Sequence, residues 1–239
     1  MATPSEPRRT AFICAMPMEL RPLARKLSLH RTQIGGVSVS SGTLDGREVV
    51  AIVTGMGPKL ASEATTRLLD AVSVDRVIVV GITGALENVT PIGTLVRPEA
   101  VVDGATGAEH RPEPLGEGAA HGKMWTTDLL ITDPDVIGGL RARGVVSLDM
   151  ETAAIAEACE LRGIPWSVFR VISDRAGDGS VDEEVFHLSN QDGTTNPAAV
   201  ARYVLTHPAR IPQMAKLARG AKLATETAAD AAIRAFSQA

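Results

Sequence analysis

The chain has 239 residues, of which 44% are hydrophobic and 22% are charged, and its net charge is −4. These proportions are typical of a globular protein of one large or two small domains, and they exclude disordered, collagenous and fibrous chains. The weak negative charge, the lack of a basic block and the 3% of aromatic residues argue against a nucleic-acid-binding surface.

The cysteines and the N-terminus indicate the compartment. Cys14 and Cys159 are expected to be buried free thiols, because their spacing fits neither a disulfide framework nor a metal site. Residues 1–10 lack the apolar segment of a signal peptide and are predicted to be disordered. The longest apolar runs, such as Val77–Val80, are far shorter than a membrane span. We therefore predict a cytoplasmic protein without a membrane span or a metal.

Apolar runs typical of buried strands alternate with helical patterns along most of the chain. The predicted strands are Thr10–Ala15, Val37–Ser41, Arg47–Val53, Arg76–Val80, Thr94–Val102, Val145–Leu148 and Trp166–Ile172. The predicted helices begin at Pro17, Pro58, Asp149 and Pro197, and Pro208 and Pro212 interrupt the last of them. Asp45-Gly46 is a strong signal for a hairpin between two of the strands.

This alternation predicts one α/β domain over residues 1–239, with helices on both faces of a central sheet and hence three layers. The hairpin makes the sheet mixed rather than purely parallel. Residues 103–122 and 175–196 are predicted to be long irregular loops, and each is a candidate lid or binding loop.

Acidic side chains follow several predicted strands. Glu19 follows the first strand, Glu151 follows the strand that ends near Leu148, and Asp174 follows the last strand. Because ligands bind beyond the carboxyl ends of parallel strands, we expect these groups to converge on one site. Each group also has a structural interpretation. Glu19 and Glu151 are acids in a first helical turn, where the helix dipole favours them, and Asp174 is a candidate cap of a turn. Asp149, next to Glu151, is predicted to be the N-cap of its helix.

Four segments together resemble the nucleoside phosphorylase and nucleosidase superfamily, and in particular the methylthioadenosine/S-adenosylhomocysteine nucleosidases. The segments are Cys14–Glu19, Thr54–Gly57, Gly81–Leu86, and Ser147–Ala154 with Arg170–Asp174. The resemblance implies a twisted mixed sheet wrapped by helices and cleavage of the N-glycosidic bond of a purine nucleoside. It also implies that no cofactor is used and that the protein is a homodimer whose partner chain helps to close the pocket for the 5′ substituent.

The resemblance also implies roles for individual residues. Asp174 is similar to the carboxyl group that protonates purine N7, and Glu19 to the carboxylate that orients and activates the attacking water. Glu151 corresponds to the ligand of the ribose 2′-hydroxyl, and Met150 packs against the sugar. The base pocket is implied to consist of Thr83, Gly84, Leu130, Ile131 and Ser173. A proton on N7 lets the purine leave neutral, so the acid needs a pKa raised by burial.

The identity of the nucleophile is predicted from two apolar residues. Val79 and Ile82 stand where phosphorylases of the superfamily carry an arginine and a hydroxyl residue for phosphate, so water is favoured. Lys59, Arg170 or Arg175 are other sources of positive charge for a phosphate.

Three alternatives stay open. Residues 192–212 resemble hopanoid-associated phosphorylases, so the first is a phosphorylase acting on an adenosylated hopanoid or another nucleoside. The second is a futalosine hydrolase. The third is a nucleoside-binding protein without turnover, against which the presence of Glu19, Glu151 and Asp174 argues.

Overall fold

A computed structural model describes residues 9–238, which form one mixed sheet flanked by helices. The strands are Arg9–Cys14 (β1), His30–Ile34 (β2), Val37–Leu44 (β3), Arg47–Val53 (β4), Val74–Ala85 (β5), Leu95–Val96 (β6), Ala100–Asp103 (β7), Glu109–His110 (β8), Lys123–Thr126 (β9), Val145–Asp149 (β10) and Trp166–Arg175 (β11). The helices are Pro17–Lys26 (α1), Pro58–Ala71 (α2), Pro134–Ala142 (α3), Thr152–Glu160 (α4), Glu183–Phe186 (α5), Pro197–Thr206 (α6) and Ile211–Ser237 (α7), and a 3-10 turn, Pro208–Arg210, joins the last two.

The strand pairing places several carboxyl ends at one edge of the sheet. The strand order is β2-β3-β4-β1-β5-β10-β9-β7-β8, and β11 pairs with β5 and β6 outside this path. β4, β1, β5 and β11 are parallel to one another, so their ends lie together. β10 approaches β5 from the opposite direction and pairs Leu148 with Gly84. The predicted mixed sheet is confirmed.

Two hydrophobic cores cover the two faces of the sheet. On β1, Ala11 and Ile13 pack into the core that contains the buried residues of α2 and α4. Phe12 and Cys14 point the other way, into the core formed with α1 and α7. This alternation follows from the two-residue period of a strand. The three-layer α/β fold predicted from the sequence is therefore confirmed.

Two predicted strands depart most from the structure, and four others differ by one to three residues at an end. Among these four, β11 extends to Arg175, so Asp174 lies within this strand rather than after it. The predicted strand Thr94–Val102 is wrong as a single element, since β6 ends at Val96 and β7 begins at Ala100. Pro98, which lies between them, has no N–H for a sheet hydrogen bond. The predicted strand Arg76–Val80 continues past Gly81 to Ala85, because β11 pairs with it over this whole stretch. Pairing with neighbouring strands thus outweighs the low strand propensity of glycine.

The predicted loops and the C-terminal helix also need correction. Residues 103–122 contain β8, and residues 175–196 contain α5. Pro212 does not interrupt a helix but lies in the first turn of α7, where its missing N–H is not needed. The elements β2, β9 and α3 were not predicted. The Asp45-Gly46 turn is confirmed, with positive φ angles of 53° and 76° at its two residues.

The predicted disorder of residues 1–10 is tested only in part. Residues 1–8 lie outside the described residues, whereas Arg9 and Thr10 belong to β1, so the prediction is wrong for these two. Within residues 9–238, no helix has both the length and the apolar character needed to cross a membrane. In the same range, His, Cys, Asp and Glu side chains form no group of three or more that would suit a metal ion.

Candidate active site

A cavity of about 490 Å³ opens at the strand ends, a volume in the usual range for small-molecule sites. Its lining includes every site residue predicted from the sequence: Glu19, Thr83, Gly84, Leu130, Ile131, Met150, Glu151, Ser173 and Asp174. These residues come from chain segments that are distant in sequence. The strand topology therefore brings the predicted site residues together at one place.

Arg170, which lies on β11 and is 1% exposed, binds three carboxylates at the base of the cavity. Its hydrogen bonds run from Nε to Thr152 Oγ1 (3.3 Å), from Nη1 to Ile82 O (3.1 Å) and Glu19 Oε1 (3.3 Å), and from Nη2 to Asp149 Oδ2 (2.9 Å) and Glu151 Oε2 (3.1 Å). A guanidinium group has five N–H donors, so every donor of Arg170 has an acceptor. The Arg170 side chain therefore has no free N–H donor, and three of its five donors bind carboxylates.

Glu19 is fully buried and also has all of its hydrogen-bonding positions filled. Oε2 accepts from the backbone N–H groups of Ala15 (2.7 Å) and Met16 (2.9 Å), and Oε1 accepts from the N–H of Ile82 (2.8 Å). The contact with Arg170 is the fourth. Burial raises the pKa of Glu19, while Arg170 and the three backbone N–H groups oppose this rise. Glu19 therefore lies in the first turn of α1, as its structural interpretation expected, accepts from the N-cap N–H of Met16, and also joins the Arg170 cluster.

Glu151 connects the cluster to the loop before α2. Its Oε1 accepts from the backbone N–H of Gly57 at 2.9 Å, and its Oε2 binds Arg170. Burial raises the pKa of Glu151 to about 7. Arg170 and Gly57 oppose this rise, and Asp149 and Glu19 add to it through like charge. This carboxyl group can therefore change its protonation state near neutral pH.

Asp149 does not have the position that the sequence predicted. It is the last residue of β10, where it pairs with Thr126 of β9, and α4 begins only at Thr152, with Glu151 at the N-cap. The prediction of Asp149 as the N-cap is thus wrong, because strand pairing extends through this residue. The prediction of Glu151 as an acid of the first helical turn is wrong for the same reason, since Glu151 is itself the N-cap. Its Oδ2 still accepts from the N–H of Thr152 at 2.9 Å, and its Oδ1 accepts from Thr126 Oγ1 at 2.6 Å.

Asp174 lies apart from the Arg170 cluster, and no ion pair among residues 9–238 involves it. Burial raises the pKa of Asp174, the like charge of Asp178 adds to the rise, and the hydrogen bond donated by Ser173 Oγ opposes it. Gly84 lies directly beside it, where an added Cβ would be 3.3 Å from Asp174 Oδ2. The cavity therefore contains one isolated acid and, separately, a charged cluster.

The hydroxyl group of Thr83 does not offer a free hydrogen-bond donor to the cavity. The residue is 3% exposed, and its Oγ1 donates to the backbone carbonyl of Leu148 at 2.6 Å. This hydrogen bond joins β5 to β10 next to Gly84. The donor of Thr83 is thus already used within the sheet.

Residue 81 must be a glycine, because the side chains of Glu19 and Arg170 lie directly against the β5 backbone at this position. A Cβ added there would overlap Glu19 Oε1 and would lie 2.6 Å from Arg170 Nη1. We expect Gly81→Ala to lower the thermal stability and to impair the site, because the displaced carboxylate loses its partners. Gly139→Ala in α3 is the matched control, since nothing lies within 4 Å of its added Cβ. Equal melting temperatures of the two variants would contradict this packing argument.

The raised pKa of Glu151 predicts a pH dependence of stability. Between its ordinary value of 4.5 and about 7, the folded protein holds a proton on Glu151 that the unfolded chain releases. The free energy of unfolding contributed by this group therefore falls as pH rises through that window. We expect Glu151→Gln, which cannot titrate, to show a shallower fall than the wild type in chemical denaturation between pH 4.5 and 7. Identical slopes for both proteins would show that Glu151 does not titrate as described.

Sequence reasoning missed two features of the site. Arg170 is predicted as part of a family-like segment and as one source of charge for phosphate, but not as the partner of the carboxylates. A charged residue inside the apolar run Trp166–Ile172 is itself a signal of a buried ion pair. The second feature is an apolar wall formed by the α5 region and α7. Residues 175–196 are predicted as a candidate binding loop, but the contribution of α7 is not predicted. The members of this wall in the lining of the cavity include Val181, Val185, Phe186, Leu188, Met214 and Leu217.

The comparisons with known proteins agree with this geometry. The sequence profile of the family described as Phosphorylase superfamily matches residues 9–124 and 113–206. A 5'-methylthioadenosine/S-adenosylhomocysteine nucleosidase of Chromohalobacter salexigens is 33% identical over 204 residues, which cover 72% of this chain and 87% of that protein.

Solved structures share the fold at lower sequence identity. The 5'-methylthioadenosine/S-adenosylhomocysteine nucleosidase of Neisseria meningitidis, in complex with methylthio-immucillin-A, superposes with a TM-score of 0.72 at 20% identity, covering 97% of this chain and 100% of that one. The futalosine hydrolase of Helicobacter pylori gives a TM-score of 0.72 at 16% identity, with 97% and 98% covered. The resemblance inferred from the sequence motifs is confirmed, and the chain belongs to the phosphorylase superfamily.

Proposed function

We propose that this enzyme is a nucleosidase that hydrolyses the N-glycosidic bond of a 5′-substituted adenosine and releases adenine. The proposal rests on one observation: the acidic groups of the cavity lie in two separate environments. Asp174 is isolated and has a raised pKa, whereas Glu19 and Glu151 are bridged by Arg170. The names of the relatives, which are nucleosidases for 5'-methylthioadenosine and S-adenosylhomocysteine, support the same reaction.

Asp174 is the proposed general acid. Its proton passes to N7 of the purine while the C1′–N9 bond breaks and its electron pair stays with the base, so that adenine leaves neutral. A raised pKa keeps this carboxyl group protonated to higher pH than an ordinary aspartate. The Ser173 hydroxyl holds Oδ1, which leaves Oδ2 to donate towards the base.

The Arg170 cluster is proposed to stabilise the sugar in the transition state. As the bond breaks, the ribose becomes positively charged. The cluster combines one guanidinium group with three carboxyl groups, so its ionised form has an excess of negative charge. Such preorganised charge in a buried site lowers the barrier. Glu151 is proposed to bind the ribose 2′-hydroxyl, and Met150 is proposed to pack against the sugar.

Glu19 is proposed to orient and activate the attacking water. The water oxygen bonds to C1′ and one of its protons passes to Glu19. All positions of this carboxylate are filled, and the contact with Arg170, at 3.3 Å, is the longest. The water is therefore expected to replace this contact rather than one of the shorter bonds to the backbone.

The remaining predicted residues complete the proposed complex. Thr83, Gly84, Leu130, Ile131 and Ser173 are proposed to surround the base. A homodimer is proposed as well, supported by Leu129, which lines the cavity although it is 69% exposed and so leaves an apolar rim for a second chain to cover. The buried free thiols of Cys14 and Cys159 support the predicted cytoplasmic location.

Water is favoured over phosphate as the nucleophile by the positions and contacts of the three candidate cations. Lys59 is exposed and does not line the cavity. Every donor of Arg170 is engaged, and Val79 is buried in the core. Arg175 also lines the cavity, and its Nε donates to the Thr90 carbonyl. A dianion at the Arg170 cluster would have to compete with three carboxylates.

The test of the reaction is adenine release from 5′-methylthioadenosine with and without inorganic phosphate. We expect equal rates, and ribose product that carries no phosphate. A strict requirement for phosphate would reverse the choice of nucleophile and would point to Arg175 as the phosphate ligand. No release from any 5′-substituted adenosine would favour a nucleoside-binding protein.

A second candidate substrate is an adenosine with a long apolar 5′ group, such as an adenosylated hopanoid. The observation that favours it is the apolar wall, since Val181, Val185, Phe186, Met214 and Leu217 carry no charge. Adenine release from 5′-alkylthioadenosines of increasing chain length distinguishes the two candidates. A kcat/KM that rises with chain length supports the long substituent, and one that falls beyond methyl supports the small thioether.

A further inference from the structure

The segment between β11 and α6, residues 176–196, forms one side of the cavity with little packing of its own. Val181, Val185, Phe186 and Leu188 of this segment line the cavity. Its only helix, α5, has four residues and none of them is buried. A helix of this length is not stable by itself in water. The position of this wall must therefore be set by contacts with other parts of the chain.

Within the described part of the chain, residues 9–238, backbone hydrogen bonds attach the segment to the loops around the cavity only near its two ends. The N–H of Ala176 donates to the Ala85 carbonyl, and the N–H of Met56 donates to the Gln191 carbonyl, both at 2.8 Å. The middle of the segment is held by side chains from the corner between α6 and α7. Gln213 Nε2 lies 3.0 Å from the Gly179 carbonyl and 3.1 Å from the Ser180 carbonyl.

Arg210 makes the central contact of this corner. Its Nη1 forms an ion pair with Asp182 Oδ2 at the start of α5 and also donates to Tyr203 Oη at 2.7 Å. Tyr203 is 5% exposed and stacks on the His207 ring at 4.6 Å, so it is a fixed anchor. His207 Nε2 in turn lies 3.6 Å from Glu184 Oε2 on α5. Arg210 thus joins a buried tyrosine to the otherwise weakly held wall.

We propose that Arg210 is a positioning residue that latches α5 against the cavity through Asp182. This inference rests on the proposed nucleosidase function. Arg210 does not line the cavity, and the proposed acid, water and ribose ligands lie on other elements. Release of the latch lets Val185 and Phe186 move away from the substrate, so it weakens binding and leaves the chemical groups in place. The effect is therefore expected in KM more than in kcat.

The kinetic test uses Arg210→Gln and Asp182→Asn, singly and together. Asparagine keeps the side-chain oxygen that accepts from the Val185 N–H, so Asp182→Asn removes the charge but retains the cap of α5. For a partly exposed pair, we expect each single change to raise KM about two- to fivefold, with kcat nearly unchanged. Because both changes break the same contact, the double variant should resemble the single ones.

Arg219→Gln is the matched control, since Arg219 is an exposed arginine of α7 whose Nε contacts only the Ala215 carbonyl of its own helix. It should retain the wild-type KM. Wild-type KM values in both single variants, or additive effects in the double variant, would overturn the latch.

Hydrogen exchange tests the latch without turnover, so failure of the latch can be distinguished from failure of the proposed function. We expect the amides of Val185 and Phe186 to exchange faster in Arg210→Gln than in the wild type, with unchanged exchange in β5 and β11. Equal exchange in the two proteins would overturn the latch even if the chain cleaves nucleosides. Faster exchange in a protein that cleaves none would uphold the latch and reject only the proposed reaction.

Discussion

Asp174→Asn is expected to lower kcat by about 10²–10⁴-fold, the usual contribution of a general acid. Asparagine has nearly the same shape and still fits beside Gly84, but it has no proton to give to N7. Binding of the nucleoside should remain measurable, because the other lining residues are unchanged. The measurement is the rate of adenine release together with a direct titration of substrate binding.

The matched control is Asp135→Asn, an exposed aspartate in the first turn of α3, which should keep wild-type kcat. The wild-type rate should also fall as pH rises through the pKa of Asp174, which burial holds above its usual range. Unchanged kcat in Asp174→Asn would remove this residue as the acid.

Arg170→Met is expected to give the largest loss of stability, about 3–5 kcal/mol, because it leaves buried carboxylates without their cation. The loss should be smaller at pH 5 than at pH 8, since the pKa values of Glu19 and Glu151 are already raised and protonation removes their repulsion. Chemical denaturation at the two pH values measures both effects.

Arg162→Met is the control for loss of a surface arginine, since its partner Asp70 is 60% exposed. It should lose no more than about 1 kcal/mol. If Arg170→Met does not fold at all, Arg170→Lys keeps the charge with fewer donors and should show an intermediate stability. An Arg170→Met protein as stable as the wild type at pH 8 would contradict the proposed role of the cation.

The position of the site was predictable because it depends on strand direction. Glu19 and Asp174 follow apolar runs, and the parallel pairing of β1, β5 and β11 places such residues at one edge. Glu151 reaches the same site from the opposite direction, because it follows β10, which is antiparallel to β5. Local patterns identified β1, β5, β10 and β11, but they contained no information on the direction of β10.

The network around Arg170 was not predictable from local patterns. Its bonds to Glu19 and Glu151 span 151 and 19 positions of the chain, so they exist only once α1, the start of α4 and β11 have assembled. The position of α5 was not predictable from local patterns for a similar reason. The helix is a single turn without apolar periodicity, and its place depends on Arg210 and Gln213, which follow it in the chain.

A crystal structure of the protein with adenine shows whether Asp174 can give its proton to purine N7. We expect a carboxyl oxygen of Asp174 to lie about 3 Å from N7, within hydrogen-bonding distance. Adenine bound in the cavity with N7 facing solvent or another group, and Asp174 out of reach, would contradict it.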